Sequence, residues 1–112
     1  MGSGAWLAER RQHTRIHLGL PVRVHFAGEP RTLTLELANV SASGCYVRTI
    51  GRLPRIGQWI ALGFVDSNHS VCTACGRTVR KDDQGFALEF ERTNLSFRDF
   101  LADISGPFVC AA

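Results

Sequence analysis

Apolar and polar side chains alternate with a period of two along most of this chain, and few folds accommodate that pattern. In "LPVRVHFAG" (20–28), Val22, Val24 and Phe26 fall on one side, and Arg23 and His25 on the other. "TLTLELANV" (32–40) repeats it, with Leu33, Leu35 and Leu37 set against Thr32, Thr34 and Glu36. This is the period of a strand with one buried face. "GEPR" between the two runs supplies turn residues, so they read as a hairpin. "CYVRTI" (45–50), "QWIALGF" (58–64), "SVCTACGRTVR" (70–80) and "FALEFE" (86–91) continue the series, separated by "GRLPRIG", "VDSNH" and "KDDQG". Six short strands punctuated in this way predict an all-β fold, an antiparallel barrel or sandwich.

The period changes near the end. Phe97, Phe100, Leu101 and Ile104 recur at i, i+3, i+4 and i+7, which predicts one short helix. Ser96 with Asp99 reads as its capping box and Gly106-Pro107 as its stop. The apolar face of this helix is expected to close one opening or flank of the β structure, each buried side chain contributing about 1.5–3 kcal/mol.

A chain of 112 residues, 45% of them hydrophobic, supports one modest core. Residues 9–106 are expected to form that domain, 1–8 a flexible leader compatible with a cloning remnant, and 107–112 a C-terminal tail. A net charge of +3 is too small to argue for nucleic acid by itself, and the predicted strands carry mostly neutral or acidic positions rather than a basic stripe. No apolar run approaches the roughly 18 residues of a membrane span, and no signal-peptide core is visible. A cytoplasmic location and reduced thiols are therefore expected for Cys45, Cys72, Cys75 and Cys110. "CTAC" lacks a second pair of ligands for zinc, and on a strand Cys72 and Cys75 point to opposite faces. Cys72 reads as a core residue, Cys45 and Cys110 as small fillers. The four histidines show no ligand spacing, although His13 lies within reach of any ligand of the arginine segment. No nucleophile-base pair, paired carboxylates or metal set stands out, so no catalytic residue, metal or enzymatic activity is expected. Tyr46 and Trp59 read as packing groups, and Trp6 has no assigned role.

Two polar segments remain. "ERRQHTRIHLGL" (9–20) carries Arg10, Arg11 and Arg15 with no visible core to lean on, and reads as a loose cationic arm. "NVSASG" (39–44) follows a strand. Asn39 offers an amide with donor and acceptor in one plane and Ser41 a hydroxyl; Gly44 supplies a positive φ or room for close approach. Arg11 and Arg15, four apart, can aim two guanidinium forks at phosphate oxygens or at the O6/N7 edge of guanine. Alone, either segment is also explained as a solvated tail or an ordinary turn. Together they suit an anionic, purine-bearing ligand.

"RQHTR" (11–15) and "NVSASG" (39–44) resemble the RxxxR and [D/N]xSxxG motifs of the PilZ domain, a bacterial receptor for cyclic di-GMP. The resemblance extends over roughly residues 9–104. It implies a six-stranded antiparallel β-barrel with a short C-terminal α-helix and a flexible N-terminal arm. It further implies a non-catalytic second-messenger receptor, in which Arg11 and Arg15 contact phosphates and guanine faces, Asn39 bonds a guanine edge, Ser41 bonds a phosphate and Gly44 keeps the turn open. Arg10 directly before the motif favours a second, intercalated nucleotide, so one or two molecules per site are both compatible. Four charge-assisted hydrogen bonds at about 1.5–3 kcal/mol each are nearly offset by ordering five arm residues at about 1–2 kcal/mol each. Guanine stacking, at about 1–3 kcal/mol per base, then has to supply the surplus, which puts the dissociation constant nearer micromolar than picomolar. The implied partners are cyclic di-GMP and an unidentified downstream protein, with the chain a monomer or a homodimer that pairs through "PFVCAA". A PilZ-like protein-interaction module without nucleotide binding is the alternative.

Overall fold

The computed structural model describes residues 15–111, with side chains described through Ser105. Strands β1 (Ile16–Phe26), β2 (Thr32–Val40), β3 (Gly44–Arg48), β4 (Trp59–Val65), β5 (Val71–Lys81) and β6 (Gly85–Thr93) precede one helix, α1 (Leu95–Ala111). All neighbouring strands run antiparallel, and the order β1-β2-β3-β6-β5-β4 closes on itself through β1 and β4. The closing seam is short: β1 meets β4 only over Arg23–Phe26 and Ile60–Gly63.

The alternation read in the sequence fills this barrel. Val22, Val24 and Phe26 of β1 meet Leu37 and Val40 of β2, Val47 of β3, Ile60 and Leu62 of β4, and Phe86 and Leu88 of β6 in one core. At its centre Phe26 and Phe86 pack edge to face, ring centroids 5.7 Å apart, an arrangement favoured by the quadrupoles of the two rings.

Strand β1 begins at Ile16, earlier than the run that starts at Leu20. Ile16, Leu18 and Leu20 keep the period of Val22 and pack against the core. The segment read as an arm over 9–20 is therefore part of the barrel from residue 16 onward, because its alternate side chains are aliphatic and gain by burial. Arg10, Arg11, His13, Trp6 and the leader lie outside the described residues.

Two local irregularities aim side chains. Across β2 and β3, Leu37 pairs Val47 and Asn39 pairs Tyr46, which leaves Ala38 as an extra residue in β2. Strict alternation from the inward Leu37 would turn Asn39 into the core and Val40 to solvent. The bulge reverses that: Val40 is fully buried and Asn39 faces outward, half-buried. A bulge that re-aims a side chain in this way is a common device beside binding sites.

The helix packs as its periodicity predicts. Phe97 is fully buried, 5.3 Å from Phe90 and 5.9 Å from Phe64, while Phe100 meets Phe64 at 4.9 Å. Its cap differs from the expected Ser96–Asp99 box. Asn94 Oδ1 accepts the Phe97 N–H at 2.9 Å and the Thr73 N–H at 3.1 Å, and Asn94 Nδ2 donates to the Val71 carbonyl at 2.9 Å. Asn94 takes the position because one side chain caps the helix and ties it to β5 at once. Nor do Gly106-Pro107 end the helix, which continues to Ala111 through the residues expected as a tail. Proline removes one N–H, but its fixed φ remains helical, so the turn is weakened without being ended. The side chains of "PFVCAA" lie outside those described. No helix among the described residues is long and apolar enough to cross a membrane.

Candidate functional site

Asn39 is one step before the end of β2, where pairing continues to His17 on one side and Tyr46 on the other. Tyr46 pairs Ala87 of β6, and Ala87 pairs Arg80 of β5. His17, Asn39, Tyr46, Ala87 and Arg80 thus form one row over the outside of the barrel.

Arg15 stands immediately before β1, beside this row. Its Nη1 donates to Asn39 Oδ1 at 2.8 Å, joining positions 24 apart in the sequence. The contact uses one of the five N–H donors of the guanidinium and orients the whole fork. The positive charge reaches the strand behind it. Burial pushes the Cys45 thiol up to about 12, and the field of Arg15 acts against that rise. A fully buried thiol of this kind stays protonated at neutral pH and packs as an apolar group.

Ser41 and Gly44 form the turn that follows. Ser41 is only 4% exposed. Its Oγ accepts the N–H groups of Ser43 and Gly44 at 3.3 Å each and donates to the Gly44 carbonyl at 3.2 Å, while its own N–H donates to the same carbonyl at 2.8 Å. The hydroxyl expected to meet a phosphate is here committed to its own turn. Gly44 has neither a positive φ nor open space in front of it. A Cβ at this position would sit 2.2 Å from the Leu88 carbonyl oxygen. Glycine is required because β6 passes too close for any side chain, and the Phe90 N–H completes the approach by donating to the Ser43 carbonyl at 2.8 Å.

Of the expected site residues, Arg15 and Asn39 touch, Ser41 and Gly44 hold the adjoining turn, and Arg10 and Arg11 lie outside the described residues. Beyond the row, Glu36 pairs Arg48 across β2 and β3 with 3.5 Å between Oε1 and Nε. These two, with Gly19, Pro21, Leu35 and Ile50, line a groove of about 490 Å³. Such exposed ion pairs add little stability, and here the Glu36 carboxylate offsets the charge of Arg48.

Tyr46 is the residue of this region whose place was not legible from the sequence. The period of two put it outside the core, but only the bulge at Ala38 sets it beside Asn39. Elsewhere, Cys72 is buried and Cys75 half-buried on the opposite face. Among the described residues no group of three His, Cys, Asp or Glu is arranged to hold a metal. Trp59 packs beneath the Arg77 guanidinium, 5.3 Å from its ring centroid.

Residues 9–105 match the family model described as PilZ domain. No curated protein matches the chain. Among solved structures, the inhibitor of motility MotI/DgrA of Bacillus subtilis has a similar fold, with a TM-score of 0.68 and 19% sequence identity. The alignment covers 85% of this chain and 48% of that one, so the chain spans about half the length of that protein.

Proposed function

The chain belongs to the PilZ domain family, and from that premise we propose that it is a non-catalytic receptor for cyclic di-GMP. The observation that carries this reading is the Arg15–Asn39 hydrogen bond. RxxxR and NxSxxG are separate in the sequence, and a ligand held by both needs them on one surface. Arg15 and Asn39 meet there, and their hydrogen bond orients the guanidinium fork.

On binding, the Asn39 amide turns to a guanine edge and Arg15, joined by Arg11, meets guanine faces and phosphate oxygens, where charge-assisted bonds are strongest. Arg10 is the group that would accommodate a second nucleotide. The Ser41 hydroxyl can serve a phosphate only by giving up part of its turn, so its first contribution is a fixed backbone between Asn39 and Gly44. Capture of the ligand by Arg11 and Arg15 at the rim of β2 is the event that a downstream protein partner reads.

Calorimetric titration of the purified protein with cyclic di-GMP, GTP and a single-stranded oligonucleotide tests the reading. Micromolar binding of cyclic di-GMP alone is expected, abolished by combined Arg11→Ala and Arg15→Ala. Cyclic di-GMP at about 100 times its dissociation constant should add about 2.7 kcal/mol to folding stability, seen as a raised melting temperature. Binding that survives the double substitution removes the site. A protein that ignores cyclic di-GMP altogether is better described as an interaction module.

A further inference from the structure

Stacking has to supply part of the affinity of such a site, and the register identifies the ring that can do it. Tyr46 lies directly across from Asn39 on the neighbouring strand and shares its outward face. Cβ atoms of such pairs are about 4.5–5.5 Å apart. Its ring extends from there over β6 at the position where β6 has no side chain. A Cβ on Gly85 would stand 2.9 Å from the tyrosine Cζ and 2.9 Å from its Oη. Ala87, the small residue opposite Tyr46 on β6, is covered to 3% exposure although it faces outward.

The far end of the ring is tied down. Tyr46 Oη donates to Asp82 Oδ1 at 2.7 Å, and the same oxygen accepts the N–H groups of Gln84 at 2.8 Å and Gly85 at 3.0 Å. One face of the ring therefore rests on the β6 backbone, its tip is anchored, and its other face is the accessible one. Little rotamer entropy remains to be lost when a planar group settles on it. Trp59 is unsuited to this role: it lies at the Phe26 end of β1, whereas Asn39 pairs at the His17 end, and Arg77 already covers it.

We propose that Tyr46 is the stacking surface of the nucleotide site, with the guanine whose edge meets Asn39 lying against the ring's outer face. Arg80 flanks this ring on the same face of the barrel, across Ala87, where its charge suits the anionic remainder of the ligand. The proposal rests on the reading of the chain as a cyclic di-GMP receptor.

The test is titration of the full chain and its variants with cyclic di-GMP, with the bound ligand followed by proton NMR. Tyr46→Phe keeps the ring and loses only its anchor, so its affinity should stay within about threefold of the parent. Tyr46→Ala should weaken binding roughly 10- to 100-fold. Tyr46→Leu, which still covers Gly85 and Ala87, should lose nearly as much, separating the ring face from mere bulk. The guanine H8 resonance should shift upfield on binding to the parent and to Tyr46→Phe, and lose that shift in Tyr46→Leu. A parent that binds while Tyr46→Leu binds within twofold of it overturns this proposal alone. A parent that does not bind cyclic di-GMP overturns the receptor reading and this proposal with it.

Discussion

The β2–β3 turn and the β5–β6 turn bound the strip on which Asn39 and Tyr46 sit, and each is closed by a side chain that accepts backbone N–H groups. Ser41 closes the first with a buried, neutral hydroxyl. Asp82 closes the second with an exposed carboxylate that also receives the Tyr46 hydroxyl. The difference sets what each turn can do. A buried hydroxyl is indifferent to pH and expensive to remove, because the N–H groups it serves cannot all turn to water. An exposed carboxylate costs little to replace but carries a charge, so it fixes and titrates whatever it touches. The Ser41 turn holds the backbone beside Asn39; the Asp82 turn holds an aromatic ring.

Substitution at Gly44 should break the first turn most severely. Gly44→Ala forces a Cβ into the Leu88 carbonyl, and urea unfolding should show a loss of about 3 kcal/mol, at the upper end of overpacking effects. Ser41→Ala comes next, at about 1–3 kcal/mol by the same measurement, because N–H groups in a buried turn lose their acceptor. Equal midpoints for parent and Ser41→Ala would mean that the hydroxyl does not hold the turn.

The second turn is sharpened by titration. Tyr46 is the only tyrosine of the chain, so absorbance at 295 nm follows it alone. Burial, then the hydrogen bond and charge of Asp82, push its hydroxyl up to about 12. In Asp82→Asn the ionisation midpoint should fall, yet stay above the ordinary tyrosine value because burial remains. Because the folded value lies above the unfolded one, the stability this hydroxyl contributes is complete below about pH 10 and fades as pH climbs toward 12. An unmoved midpoint in Asp82→Asn would dissolve the link between turn and ring.

The smallest effect concerns acid. The Tyr46 hydroxyl, followed by the N–H groups of Gln84 and Gly85, holds the Asp82 carboxyl below the ordinary range. Its contribution is therefore present above the unfolded carboxyl value and lost as pH falls through the lower folded one. Between neutral pH and pH 3 the parent should lose slightly more stability than Asp82→Asn, while Ser41→Ala should follow the parent. Parallel acid profiles for all three would remove the contrast between the turns.

The barrel was legible because Val22, Val24, Phe26 and their counterparts obey one period and because Phe97, Phe100, Leu101 and Ile104 obey another; burial enforces both patterns. What was not legible depends on residues far apart in sequence. Ala38 looks like any strand residue, and only the pairing of β2 with β3 makes it the bulge that turns Asn39 outward. The requirement for glycine at position 44 comes from Leu88, on another strand. Asn94 displaced Ser96 as the cap because β5 offered it two further partners. Ser41 was legible as part of a motif but not as the acceptor that closes its own turn, since hydroxyl orientation follows from the fold.

The central claim is that the arginine segment and the rim of β2 act as one binding surface. A double-mutant cycle read by calorimetry with cyclic di-GMP, using Arg15→Ala, Asn39→Ala and the pair together, tests it most directly. Each single substitution should weaken binding at least tenfold, and the double should cost clearly less than the two combined, with a coupling of about 0.5–3 kcal/mol. Strictly additive losses, or singles that bind as tightly as the parent, would contradict it.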